Sequence, residues 1–182
     1  MMLTKRQPGL CCGHCRFFKR ATIMHHDFDR QALKKAFGGF PSGVTVVTTC
    51  RGETPVGFTV SSFTSVSLTP PLLLFCIDKG SDNIDTYRDA DHFAVNVLAH
   101  DHANLSNRFA TDMENRFDGV DWEMSALGNP LISGAVSQFD CTTHDIVDAG
   151  DHLIIIGLVV ALDSNDTTSL GYYRGRYLEL NA

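Results

Sequence analysis

The sequence predicts a mainly-β protein, an antiparallel barrel with a few short helices at its periphery. Three observations carry that prediction. About six or seven segments are rich in Val, Ile, Thr and Phe and read as strands. The helix-patterned segments are short and do not alternate strictly with strands, so a parallel βαβ sheet is not supported. Two long apolar runs flank Asp148-Ala149-Gly150-Asp151, a hairpin turn by composition. A closed antiparallel sheet satisfies all three.

Asp27-Phe28-Asp29 offers N-caps for a first helix, in which Phe28, Ala32, Leu33, Ala36, Phe37 and Phe40 recur at helical spacing. Gly38-Gly39 ends it. Gly43 to Cys50 reads as a strand, 51–55 as a turn and Val56 to Ser62 as a second strand. Leu72 to Ile77 follows Pro70-Pro71 as a third. Ser81-Asp82-Asn83 is placed to cap a short helix reaching about Arg88. Phe93, Val95 and Val97 alternate as a half-buried strand, and Asp101 is expected to cap a helix carrying Leu105 and Phe109. Glu114 to Pro130 is polar and irregular, a long loop. Ala135 to Val147 and His152 to Leu162 form the two long strands, and Leu170 to Leu180 closes as a last strand.

The 182 residues suffice for one domain with a real core. No apolar run approaches the roughly 18 residues that span a bilayer, and no apolar segment follows Lys5 and Arg6 as a secretory signal requires. Membrane insertion is not expected, and a cytoplasmic location is. The net charge is −6, with scattered cations, so there is no nucleic-acid footprint. A phosphate must therefore be held locally, for which backbone N–H groups at a helix start serve. Of the six cysteines, Cys50, Cys76 and Cys141 lie in strand-like stretches and read as buried thiols in a reducing compartment.

Residues 1–23 stand apart. They hold Cys11-Cys12-Gly13-His14-Cys15 without amphipathic period. A structural zinc site needs four ligands, and no second Cys-x-x-Cys or His-x-x-x-His pair exists. The expected reading is a disordered N-terminal extension before a folded body at 24–182, with Met24 as an alternative start.

Several motifs are excluded. There is no Gly-x-Gly-x-x-Gly, so a Rossmann site is not supported. Gly38 and Gly43 have P-loop spacing, but Val44 stands where Lys must reach the phosphates. Cys141 and His144 are an odd number of residues apart in a strand and so face opposite ways. If Val147 faces His152 across the turn, His144 lies about 10 Å from His152 along the ladder. That is too far for both to share a metal with Asp148 or Asp151.

What remains is 57–71, where seven hydroxyl residues crowd a strand and its exit. Patterning alone allows a solvent-facing edge strand. A polar ligand lying along the strand is the functional alternative. A flavin ring asks for such a surface, because its pyrimidine edge carries O2, O4 and N3–H and gathers negative charge on reduction. Ser81, at a helix start, is either a phosphate contact or a plain N-cap.

The chain resembles the flavin reductase-like split-barrel family, the reductases that supply reduced flavin to two-component monooxygenases. The resemblance rests on Phe40-Pro41-Ser42-Gly43-Val44-Thr45-Val46-Val47-Thr48, on Gly57 to Phe63, and on Ser65 to Pro71. Phe93 to Leu98, Phe109-Ala110, Gly150-Asp151-His152 with Ile156 to Val159, and Tyr172 to Tyr177 complete it in order. It implies an antiparallel Greek-key split barrel that dimerises with flavin near the subunit interface. It implies FMN, with FAD as the alternative, and NADH or NADPH as co-substrate. It places Thr59, Val60, Ser61 and Ser62 on the flavin ring, and Cys76 and Ile77 as further contacts. Ser81 falls on the phosphate, Asn96 beside the cofactor and His152 beside the incoming nicotinamide. A separate monooxygenase is the implied partner. The rivals are an oxidase of the pyridoxamine-phosphate type and a non-enzymatic flavin-binding protein. The extension at 1–23 lies outside the family pattern, and His100-Asp101-His102 has no assigned role.

Overall fold

A computed structural model describes residues 28–111 and 115–180. The readings made above for 1–23 and for Met24 fall outside them. The chain runs α1 (Arg30–Phe37), β1 (Ser42–Gly43), β2 (Thr45–Arg51), β3 (Thr54–Val60), β4 (Thr64–Leu68), β5 (Pro71–Asp78) and α2 (Ile84–Asp89). It continues through β6 (His92–Val97), α3 (Ala103–Ala110), β7 (Trp122–Met124), β8 (Pro130–Ile132), β9 (Ser137–Ala149), β10 (His152–Ser164), β11 (Leu170–Tyr173) and β12 (Arg176–Glu179). No helix among the described residues is long and apolar enough to cross a membrane.

Seven strands form one sheet in the order β3-β2-β6-β9-β10-β5-β4, antiparallel throughout. Strands β5, β6, β9 and β10 lie as β6-β9-β10-β5, so the first sits beside the last in Greek-key fashion. The sheet curls until the end of β3 meets β5: Ser62 Oγ accepts from Cys76 N at 2.9 Å. This is the expected split barrel.

Strand β2 shows why the sheet is buried on both faces. Val47 points into the barrel with Phe75, Tyr87, Phe93 and Ile155. Val46, one residue earlier, points outward into a second cluster with Leu98, Phe109, Ile132 and Leu170. Each such burial is worth roughly 1.5–3 kcal/mol. Within the inner cluster the Tyr87 hydroxyl donates to Val47 O at 2.8 Å. Desolvation by burial pushes its pKa well up.

The structure corrects several local expectations. Residues 64–68 form a full strand, β4, rather than the exit of β3, and pair with β5. The loop expected over 114–130 contains β7, which pairs with β8, and Phe117 packs edge-on against Phe109 and Trp122. The expected last strand is two strands, β11 and β12, joined by Arg174 and Gly175 with φ of 48° and 79°. Helix α3 is preceded by His102, not Asp101, at its N-cap position, and neither it nor Asn83 before α2 makes a side-chain cap. Asp29 does cap α1, accepting from Gln31 N and Ala32 N. His152 faces Ala149, not Val147, so the β9–β10 turn is only Gly150-Asp151.

Candidate functional site

One open cleft of about 340 Å³ is lined by Phe58, Thr59, Val60, Ser61, Ser62, Cys76, Ile77, Asp78, Ser81 and His152. Three separated stretches of chain meet there. The volume lies in the roughly 300–1,000 Å³ range of small-molecule sites. Eight of the nine candidate residues line it; Asn96 does not.

The floor is built by register. On β5, Phe75 and Ile77 point into the core, so Cys76 and Asp78 point to the other face. Ladder pairing sets His152 opposite Asp78 and Ile154 opposite Cys76, which brings His152 onto that same face. Ile77 is buried and Val60 nearly so, so their side chains belong to the core and their backbone faces the cleft.

The hydroxyls divide by task. Thr59 Oγ1 donates to Ser106 O on α3 at 2.7 Å, fixing the helix to the strand. Ser62 lies where the β4–β5 ladder would pair with Cys76. Its side chain takes over both bonds, accepting from Cys76 N at 2.9 Å and donating to Cys76 O at 3.4 Å. Ser61 is exposed at the mouth. The backbone of 61–63 lies between the Thr45–Val60 and Thr64–Leu74 pairs, outside both ladders, and so is placed to serve a ligand.

The far rim is a clamp between two turns. Lys79 Nζ donates to both Asp148 carboxylate oxygens, at 2.9 and 2.8 Å, and to Gly150 O at 2.7 Å. Lys79 N also donates to Asp151 O at 2.9 Å. The turn before α2 is thereby tied to the turn before β10. Ser81 N donates to Asp78 O, and Ser81 Oγ accepts from Asn83 N at 3.3 Å.

His152 Nδ1 lies 2.7 Å from Asp151 Oδ1. That hydrogen bond, and the imidazole's charge when protonated, hold the Asp151 carboxyl below its usual range. An ionised carboxylate only accepts, so Nδ1 carries the hydrogen and Nε2 is the nitrogen free to meet a ligand. The arrangement can hold a flat polar ligand by backbone groups along one edge and present an oriented imidazole from the opposite rim.

Asn96 is 0% exposed. Its Nδ2 donates to Val46 O and Thr48 Oγ1, and its Oδ1 accepts from Ile132 N at 2.8 Å. The amide joins β2, β6 and β8, and the structure does not bring Asn96 to the cleft with the other eight. Two lining residues escaped sequence reasoning. Asp78 carried a signal, following Cys76 and Ile77 with the alternation of a strand; Phe58 carried none. Among the described residues no cluster of His, Cys, Asp and Glu could hold a metal. Cys141 is buried and His144 exposed, as their odd spacing requires.

Residues 37–181 match the family described as flavin reductase like domain. The chain is 52% identical over 146 residues, 80% of its length, to the reductase component of a flavin-dependent trigonelline monooxygenase from Acinetobacter baylyi. It spans about half that relative's length, 47%. It is 42% identical over 147 residues to the FMN reductase (NADH) SmoA of Agrobacterium fabrum, covering 81% of this chain and 84% of that one. Among solved structures it resembles the NADH:FAD oxidoreductase SgcE6 of Streptomyces globisporus C-1027, in complex with NAD and FAD fragments. The TM-score is 0.81 and the identity 38%, over 84% of this chain and 93% of that one. The chain belongs to the flavin reductase-like domain family.

Proposed function

We propose that this chain is an NADH- or NADPH-dependent flavin reductase that binds FMN, or FAD, in the cleft between β3, β5 and β10. The observation that carries the reading is the convergence of 59–62, Cys76-Ile77, Ser81 and His152 on one cleft. The residues fit the group. The unladdered backbone of 61–63 offers neutral donors and acceptors at a flat site, as the pyrimidine edge of a flavin requires. Bound flavin supplies a hydride acceptor, N5, for the hydride on nicotinamide C4.

The chain's own residues position and shield. Backbone groups of 61–63 hold the ring edge, and Ser81 with the turn at 78–81 stands where a phosphate is held. His152 Nε2 orients the nicotinamide and needs to move no proton, because a hydride step requires no general base. The relatives' names support passage of reduced flavin to a separate monooxygenase component.

A homodimer belongs to the same reading. Strand β10 is apolar on its outer face as well as its inner one: Ile154, Ile156 and Leu158 are partly exposed on the side away from the core, opposite Cys76, Leu74 and Leu72 of β5. That face runs on through Ile154 and Cys76 to the cleft. A second copy is the occupant that would cover it and close the open side of the flavin site. The free thiols of Cys50, Cys76 and Cys141 suit the reducing cytoplasm.

The test is anaerobic mixing of the purified protein with NADH or NADPH, with and without FMN and FAD, followed by flavin absorbance. Bleaching of added flavin by at least one nicotinamide is expected. Flavin that binds and stays oxidised with both would overturn the reading in favour of a storage or sensing protein.

A further inference from the structure

A second cavity lies outside the proposed flavin cleft. It measures about 760 Å³ and separates α1 from the tip of the β11–β12 hairpin, with Lys34, Lys35, Gly38, Gly39, Arg174 and Gly175 along its walls. Among the described residues no carboxylate lines it. Helix α1 carries Arg30, Lys34 and Lys35 and no acid, and Arg176 follows Arg174 on the hairpin. Five cations thus gather on one helix and one turn of a protein whose net charge is −6.

A backbone hydrogen bond joins the two walls of the cavity. Arg174 N donates to Gly38 O at 3.1 Å, joining the hairpin tip to the end of the helix. Arg174 holds φ of 48° and Gly175 of 79°, the tight two-residue turn that projects the Arg174 side chain. None of the residues of α1 is buried. The residues before Asp27 carry five cations and no acid, so by charge they are a poor occupant.

At the start of the helix the Arg30 charge is the smallest of the influences that hold the Asp151 carboxyl down, behind the larger effect of His152. Asp151 is the residue that orients His152. At the flavin cleft itself the flanking cation, Lys79, is already committed to Asp148 and Gly150. An acidic protein that must capture a polyanionic dinucleotide needs cations beside its cleft, where they raise local substrate concentration and fix the phosphates.

We propose that the cleft between α1 and the β11–β12 tip holds the phosphate groups of the nicotinamide dinucleotide, with Lys34, Lys35 and Arg174 as their contacts. The proposal rests on the reductase reading above. The phosphates are the pyrophosphate shared by NADH and NADPH, the additional 2′-phosphate of NADPH, or both.

The test compares full-length wild type with Lys34→Gln/Lys35→Gln and with Arg174→Asn, the latter chosen because Asn tolerates positive φ. Flavin reduction is measured with NADH, with NADPH and with N-benzyl-dihydronicotinamide, which has no phosphate. The expected result is a fall of about tenfold in kcat/KM for a dinucleotide relative to that for the phosphate-free donor. A fall with both dinucleotides assigns the pyrophosphate; a fall with NADPH alone assigns the 2′-phosphate. Lys34→Arg/Lys35→Arg, keeping the charge, should restore the wild-type ratio. An unchanged ratio, or equal loss with the phosphate-free donor, overturns the proposal. If no donor reduces flavin, the reductase reading fails by itself, and calorimetric binding of NADPH decides this one. Weaker binding by the double variant upholds it; equal binding, or none by wild type, overturns it.

Discussion

At the scale of single residues, neighbouring hydroxyls of one strand have different partners, and that separates their predicted phenotypes. Ser62 bonds the Cys76 backbone, whereas Ser61 opens to the cleft. Ser61→Ala should weaken flavin binding by about 0.5–1.5 kcal/mol and leave the unfolding midpoint unchanged. Ser62→Ala should lower both, because a ladder position on β5 is left without its partner; fluorescence titration and urea unfolding on the same samples check this. Cys141 is buried, and desolvation, with the Asp140 charge adding to it, pushes its thiol up to about 12. It should resist alkylation at pH 8 until the protein unfolds. Cys76 lines the cleft, so any native labelling there should be suppressed by FMN, which peptide mapping reads directly. Asp151 gives the acid-side test. Its pKa is lowered from 3.8 in the fold, so its contribution to stability is present above the unfolded value and lost as pH falls through the lower folded value. The gap in urea midpoint between wild type and Asp151→Asn should narrow as pH falls from about 5 towards 3. A gap that widens towards pH 3 would remove the His152–Asp151 bond from the account.

At the scale of elements, packing decides what sequence patterning leaves open. A Cβ on Gly157 would meet Phe93 Cζ at 2.5 Å and Cys141 Cβ at 3.0 Å. Gly157→Ala should therefore destabilise by about 1–3 kcal/mol, measured by chemical unfolding, because β9 and the core ring must part. From the sequence this glycine reads only as a break in an apolar run; the close approach it permits is a tertiary fact. The same division runs through the fold. The long hairpin was legible, since β9 and β10 carry strong strand patterning around a Gly-containing turn. The β2 and β3 pair was legible within about two residues. Strand β4 was not, because Thr64-Ser65-Val66-Ser67 is an edge whose polarity reads as loop until β5 supplies its partner. The β7–β8 pair was hidden for the same reason, being short and held by Phe117 and Trp122 rather than by alternation. In the site, residue types marked only the hydroxyl-rich stretch 57–71; Thr59 to Ser62 and His152 were singled out through the family resemblance, and the structure brings them to one cleft. Asn96 lies apart from that cleft; a buried amide and a ligand-facing amide look alike in sequence, and its bonds to Val46, Thr48 and Ile132 are those of the first.

At the scale of the whole molecule, one barrel leaves two features unsatisfied: an apolar outer face on β5 and β10, and the proposed flavin cleft, open on the same side. The proposed second copy would answer both. Sedimentation at micromolar concentration should give a dimer. Ile156→Glu with Leu158→Glu should yield monomer with weaker flavin binding, since charges then face the partner. A dimer that persists in that variant would move the interface elsewhere. The central claim is that flavin and nicotinamide meet in one cleft, held from different parts of the chain, with His152 on the nicotinamide side. Stopped-flow anaerobic reduction of flavin-loaded His152→Ala, run beside a flavin titration, tests it most directly. The account predicts flavin affinity near wild type and hydride transfer slowed, or the KM for the nicotinamide raised, by several-fold, on the order of 1 kcal/mol. Collapse of flavin binding with a normal reduction rate for the bound fraction would contradict it and make His152 a flavin or structural residue.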